Sequence, residues 1–253
     1  MTAGRYLPAL TALLLALGIW WAAAMLVAVP ILVPTPLQVF RGAIDLLASG
    51  ELVQHLLASL SRLTVGLLIG GPLGAMLGCA MGRFEVVDAI FNPFVRMFNA
   101  IPALALVPFS LLWFGATEIS RYAILAYTIT LTVLLSARVG ASAVPAMRER
   151  AGQTLGLSKS QVFLKIILPS CFPSILAGTR TALGLGVMVI VAAEMLGAES
   201  GFGYLIMQAR SHLNMVNMLV GVLGLGLLSL VLDRLFAAFV ENFLPRWSVR
   251  RRT

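Results

Sequence analysis

Arg148-Glu149-Arg150-Ala151-Gly152-Gln153-Thr154-Leu155-Gly156-Leu157-Ser158-Lys159-Ser160-Gln161-Val162-Phe163-Leu164-Lys165-Ile166-Ile167-Leu168-Pro169 is a polar island in an apolar chain. It is too long and too regularly patterned for an ordinary connection. Residues 147–155 are predicted to form a helix. Gly156 permits a turn with positive φ. Ser158 is placed to cap a second helix, with Gln161 three residues on to complete a capping box. Phe163, Ile166 and Ile167 then lead into Leu168-Pro169. The reading is an exposed helix–turn–helix suited to docking a partner; a plain amphipathic elbow lying on a membrane surface is the alternative.

Outward from this block the chain is built for lipid. Of its 253 residues 60% are hydrophobic and 11% charged, and mean hydropathy is +0.97. A soluble domain is about half apolar and about a quarter charged, so a water-facing globule is excluded. Six helical spans are predicted. The first covers Leu7 to Val29, a retained helix rather than a cleaved signal, because the apolar run continues past Ala22-Ala23-Ala24. Val33-Pro34-Thr35-Pro36 ends it, and residues 36–62 mix charges and leucines as interfacial amphipathic helices would. Leu63 to Met81 is the second span, with Gly66, Gly70, Gly71, Gly74 and Gly78 available for close helix packing. Arg83, Glu85 and Asp88 form a polar turn. An interfacial helix lies between Asn92-Pro93 and Ile101-Pro102, and a Pro-bent third span runs from Pro102 to Gly115. Arg121 to Val139, Pro173 to Leu196 and Met215 to Val240 follow, and the chain ends in a basic tail, Arg246 to Arg252.

Eighteen Lys and Arg stand against 10 Asp and Glu, a net charge of +8. The bases sit between apolar runs, with no dense patch beside aromatic platforms, so nucleic acid is not the expected partner. With the N-terminus placed in the cytoplasm, thirteen of the eighteen fall inside: Arg5, Arg83, Arg96, Arg138, Arg148, Arg150, Lys159, Lys165, Arg234, Arg246, Arg250, Arg251 and Arg252. Arg41, Arg62, Arg121 and Arg210 fall outside and Arg180 within a span. The positive-inside rule then puts both termini and the 148–169 block in the cytoplasm.

Catalytic machinery is not in view. No Gly-x-x-x-x-Gly-Lys phosphate loop is present. His55 and His212 are far apart and Cys79 and Cys171 lack metal or disulfide spacing, so neither a metal site nor a nucleophile is expected. Gly184-x-Gly186 and Gly224-x-Gly226 lie in spans, where packing accounts for them. Glu194 and Arg180 are the two charges read deep in spans. A carboxylate there needs a partner or water. Arg180 is too far along the same helix to reach it, about 21 Å at ~1.5 Å per residue. Glu194 is either a structural ion pair or hydrogen bond near the outer end, or a gate or a contact to a substrate amine; Arg180 either snorkels or pairs, or meets an anionic substrate. Met188, with Met195, Met207, Met215 and Met218, is either packing or a flexible pathway lining. Gly201-Phe202-Gly203 is expected as a tight turn on the outer side.

The 148–169 block resembles the EAA motif of ABC importer permeases, Glu-Ala-Ala-x-x-x-Gly followed by a distal Leu-Pro. Gly156 matches the motif glycine and Leu168-Pro169 the Leu-Pro, while Arg150-Ala151-Gly152 stands where Glu-Ala-Ala is usual and Glu149 lies one residue early. Gly50-Glu51-Leu52 through His55, Ser59 and Arg62 resembles the entry to the family's domain. Ile101-Pro102-x-Leu104-Ala105-Leu106-x-Pro108, Trp113-Phe114-Gly115, Ala192-Ala193-Glu194-Met195-Leu196-Gly197-Ala198 and Gly201-x-Gly203-Tyr204-Leu205-Ile206 are similar to its nitrate, sulfonate and taurine branch.

The resemblance implies an all-α integral membrane protein of the type I importer permease kind. Its parts would be an N-terminal helix and linker (1–50), a permease domain (51–245) and a tail (246–253). It implies a bacterial inner-membrane subunit with no cofactor of its own, paired with a second copy, with two cytoplasmic ATPase subunits that bind ATP and Mg, and with an extracytoplasmic solute-binding protein. Glu149, Arg150, Ala151, Gly156, Lys159, Leu168 and Pro169 would form the coupling element; Glu194, Arg180 and Met188 would border the pathway. A small oxyanion, aliphatic sulfonate or taurine ahead of nitrate, is the implied substrate, with a pyrimidine or other heterocycle as the rival. An ion-driven secondary transporter would need an inverted repeat and more intramembrane charges, and a membrane enzyme would need a catalytic cluster; neither is seen.

Overall fold

The computed structural model describes residues 3–27 and 32–243, and the predicted basic tail Arg246–Arg252 lies outside the described residues. All regular elements among the described residues are helical: α1 (Ala3–Val27), α2 (Pro36–Ala48), α3 (Glu51–Arg83), α4 (Glu85–Ala100), α5 (Val107–Phe114), α6 (Glu118–Ser142), α7 (Ala146–Thr154), α8 (Lys159–Val162), α9 (Leu168–Gly197), α10 (Phe202–Ser211) and α11 (Met215–Phe243).

Local chemistry sets most boundaries. Thr35 caps α2, its hydroxyl accepting from the Gln38 amide while Gln38 reaches back to the Thr35 amide. Gly50, at φ 83°, turns the chain into α3. Residues 51–62 are therefore not a separate interfacial helix, as the charges suggested, but the first turns of one 33-residue helix. Likewise α9 starts at Leu168, five positions before the predicted start. Pro169 occupies its first turn, where a missing amide proton costs nothing, and Pro173 sits inside the helix.

The centre of the molecule is a ladder of small residues. Gly66 packs on Leu125, Gly70 on Ala126, Gly74 on Thr130, Gly78 on Leu134 and Gly82 on Arg138. A Cβ at any of the five would stand 2.3–2.7 Å from an atom of α6. Without side chains at these positions the backbones close on each other, which is the main source of helix affinity in lipid. Gly71 meets only Leu67 of its own helix and is not part of the ladder. Gly140 and Gly178 make the same approach to Ser174 and Ser136, joining α6 to α9.

Register fixes topology. Residue numbers rise together along α3 and α6, so the two helices are parallel; α6 and α9 pair in opposite order and are antiparallel. Two consecutive parallel spans require the chain between them to return across the full thickness. The predicted span Pro102–Gly115 does not do this alone. It is a 3₁₀ turn, Ala103–Leu106, and the eight-residue α5, about 12 Å long at ~1.5 Å per residue. The return is made by α4 together with this piece, bent by 86° at the break. Five helices are individually long and apolar enough to cross, and the bent pair makes the sixth crossing. α1 leans on the rest lightly, tied by the Trp20 indole, which donates to the Pro34 carbonyl at 3.1 Å.

Candidate functional site

The polar block folds as a hairpin at one end of the spans. α7 ends at Thr154, Gly156 turns with φ 82°, and Ser158 caps α8 in a capping box with Gln161. A π-turn over Phe163–Ile167 joins α8 to α9. Gly152 is the hinge of the packing: a Cβ there would lie 2.5 Å from Ile166 Cδ1. Glu149 turns inward and makes a two-pronged ion pair with Arg83 at the end of α3. Phe163 stacks on Phe84 with centroids 5.6 Å apart. The hairpin is thus fastened to α3 on one side and continuous with α9 on the other. Beside it Arg138 pairs with Asp88 at 2.7 Å and donates to Asn92, tying α6 to α4.

About 30 Å away along α3, at ~1.5 Å per residue, a second cluster closes the far end. Arg62 sits at its centre. Its Nε and Nη2 donate to the Glu118 carboxylate, each at 2.7 Å, and its Nη1 donates to Glu194 Oε1 at 2.8 Å and to the Ser200 carbonyl at 2.7 Å. Arg121 adds a bond to Glu118 at 2.8 Å and one to the Gly197 carbonyl. Glu194 also accepts from Ser59 Oγ at 2.8 Å and from the Gly203 amide at 2.9 Å. The turn into α10 is held by the same residues: the Phe202 amide donates to Ser59 and the Gly201 amide to His55 Nδ1. Two arginines and two glutamates balance, and the Glu194 side chain is 0% exposed. Gly201, at φ 112°, lies so close that a Cβ would stand 2.3 Å from the Glu194 carboxyl carbon. No group of three His, Cys, Asp or Glu side chains among the described residues could hold a metal.

The sequence profile described as "Binding-protein-dependent transport system inner membrane component" matches residues 70–249. The chain belongs to this family of ABC importer permeases. It is 32% identical over 235 residues to the taurine transport system permease protein TauC of Escherichia coli, covering 90% of this chain and 86% of that protein. It is 32% identical to the putative aliphatic sulfonates transport permease protein SsuC of Bacillus subtilis, over 85% of this chain and 77% of that one. It is 31% identical to the formylaminopyrimidine transport permease protein ThiX of Halalkalibacterium halodurans, over 92% and 93%. The fold is similar to a chain in inward-facing structures of the MetNI methionine ABC transporter, with a TM-score of 0.55, 18% identity and coverage of 74% of this chain and 94% of that one. Like its relatives, the chain is a non-catalytic integral membrane permease served by a separate ATPase subunit.

The permease groups Glu149, Arg150, Ala151, Gly156 and Lys159 on one hairpin, with Leu168 and Pro169 at its exit. Arg150, Ala151, Gly156 and Lys159 are exposed, whereas Glu149 faces inward. Glu194 and Arg180 are not brought together. Arg180 instead makes a two-pronged pair with Asp233 of α11, with Nη2 to Oδ2 at 2.6 Å. Met188 is 66% exposed, pointing away from the bundle. Glu194 and Arg180 are also not alone in the spans: Arg62, expected in an interfacial amphipathic stretch, and Arg121, expected at the outer end of its span, are buried within α3 and α6. His55, Ser59 and Arg62 recur at i, i+4 and i+7, one polar stripe in a leucine-rich helix, and that spacing was the available signal.

Proposed function

We propose that this permease imports a small organic oxyanion, an aliphatic sulfonate or taurine, as half of a two-copy pathway. It would be powered by two ATPase subunits at the hairpin end and loaded by a solute-binding protein at the Arg62 end. The supporting observation is the hairpin. It is an exposed polar element, built around the turn at Gly156 and anchored to both α3 and α9. Pushing it therefore moves two spans at once. The ATPase binds ATP and Mg; this chain lacks a phosphate loop. The positive-inside count places the hairpin and both termini in the cytoplasm. Met188 and Arg180, on exposed faces of α9, border the pathway in this reading. Glu194 acts on it indirectly, by holding the Gly201 turn that closes the outer end.

The relatives TauC and SsuC support the sulfonate reading, and ThiX supports a second one, a pyrimidine substrate. Transport competition separates them. The complete transporter in vesicles, supplied with its binding protein, should take up labelled taurine or an alkanesulfonate and be inhibited by the unlabelled compound. Inhibition by an aminopyrimidine alone, with none by sulfonates, would select the second reading.

A further inference from the structure

The charge that the hairpin shows to its surroundings differs from the charge written in its sequence. On α7 the buried side carries Glu149 and Gly152. The opposite side carries Met147, Arg150, Ala151 and Thr154, at the i, i+3, i+4, i+7 spacing of a single helical face, and Leu155 extends it. Met147 is 79% and Leu155 82% exposed, and Arg150 lies between them. Lys159, at the start of α8, and Lys165 are exposed as well. The hairpin's one acid is withdrawn: the Glu149 side chain is 13% exposed and both its oxygens face Arg83. Of the other acids at this end of the bundle, Asp88 is taken by Arg138, and Glu85, at the start of α4, and Glu241, in the last turn of α11, stand on other helices than the hairpin. What remains outward is a guanidinium without a partner among the described residues, flanked by two large apolar side chains. Arginine and methionine at the centre of a patch, with little opposing charge, are the composition of a protein-binding core.

We infer that Arg150 is the charged anchor of this docking face, and that the ATPase groove receiving it has an apolar floor for Met147 and Leu155 and a carboxylate opposite Arg150. The inference rests on the hairpin being the ATPase-coupling element. A guanidinium transferred from water into a groove is costly unless a carboxylate meets it, and the planar fork suits two-pronged pairing. The Arg83–Glu149 pair positions this face: it holds α7 with Arg150 outward and keeps Glu149 from competing for it.

The test is retention of the ATPase subunit, co-expressed and purified with the full permease through an affinity tag on the permease, in a detergent without added lipid. Wild type and Arg150→Lys should retain the ATPase at low salt. Arg150→Glu should retain at least about tenfold less, because like charges facing across an interface oppose association strongly. Wild-type retention should fall between 0.1 M and 1 M salt, where the screening length drops from about 10 Å to about 3 Å. Equal retention by wild type and Arg150→Glu, or a salt-insensitive wild-type complex, overturns the acidic groove while leaving the hairpin as coupling element. Should Arg150→Glu prove unstable, Arg150→Ala and the salt series decide alone. An Arg150 effect that appears only with anionic lipid present assigns the face to the membrane and overturns the inference. A wild-type permease that retains no ATPase under any condition refutes the coupling reading itself.

Discussion

Glu194 accepts from Ser59, Arg62 and the Gly203 amide, so deleting it removes one of the two carboxylates on a buried guanidinium and frees the α9–α10 turn. Orphaning one member of a buried pair costs about 3–5 kcal/mol. Arg62 keeps Glu118, which lowers the expected loss for Glu194→Ala to about 2–3 kcal/mol, at or below the lower end of that range. Thermal unfolding of the detergent-purified permease should show it, with Glu194→Gln intermediate because the amide still accepts hydrogen bonds. An unchanged melting temperature would mean that Glu194 does not hold the Arg62 cluster together. The need for a partner was legible in the sequence, since a carboxylate in a span is not left bare. The partner was not: Arg62 is 132 positions away. Helix arithmetic could reject Arg180 but had no means of bringing α3 to α9.

Among the elements, the α3–α6 contact is where sequence and structure agree most closely. Glycines four apart mark a close-packing stripe, and four of the five glycines named in α3 lie in it. Gly82 completes the ladder beyond the predicted end of the span, because the helix outlasts its apolar stretch. The hairpin was legible for a related reason: a positive-φ glycine and a Ser–Gln capping box are local signals that need no tertiary contact. The bent return was legible only in its second half: the sequence marks a Pro-bent span at Pro102–Gly115, but α4 reads as interfacial, because neither piece is long enough to cross by itself. The ladder predicts a contrast. Gly78→Val places a branched side chain where a bare Cβ is already 2.3 Å from the Leu134 carbonyl oxygen, and should cut the yield of monodisperse permease severely. Gly71→Ala, facing no other helix, should leave yield unchanged and stability equal or higher by up to about 1 kcal/mol. Size-exclusion profiles of the two variants side by side read this out; equal profiles would contradict the ladder.

The molecule as a whole carries two polar knots, at Arg62 and at Arg83, set roughly a bilayer's thickness apart on α3 at ~1.5 Å per residue. Between them the contacts of α3 with α6 are close and made by small residues, while Arg180–Asp233 ties α9 to α11 on the side. One knot secures the turn into α10; the other secures the hairpin. A displacement of the hairpin is passed to α3 through Arg83–Glu149 and to α9 through the chain itself. Both helices reach Glu194 and the turn into α10, so the two ends are mechanically joined. ATP-driven uptake measures this coupling directly. Vesicles holding the permease with its ATPase, supplied with the binding protein and labelled sulfonate, should accumulate substrate only when ATP is available to the ATPase. Gly156→Leu, strained at φ 82° in the exposed turn, should insert normally yet transport little. Accumulation without the ATPase, or driven by an ion gradient alone, would contradict ATP-coupled import through the hairpin.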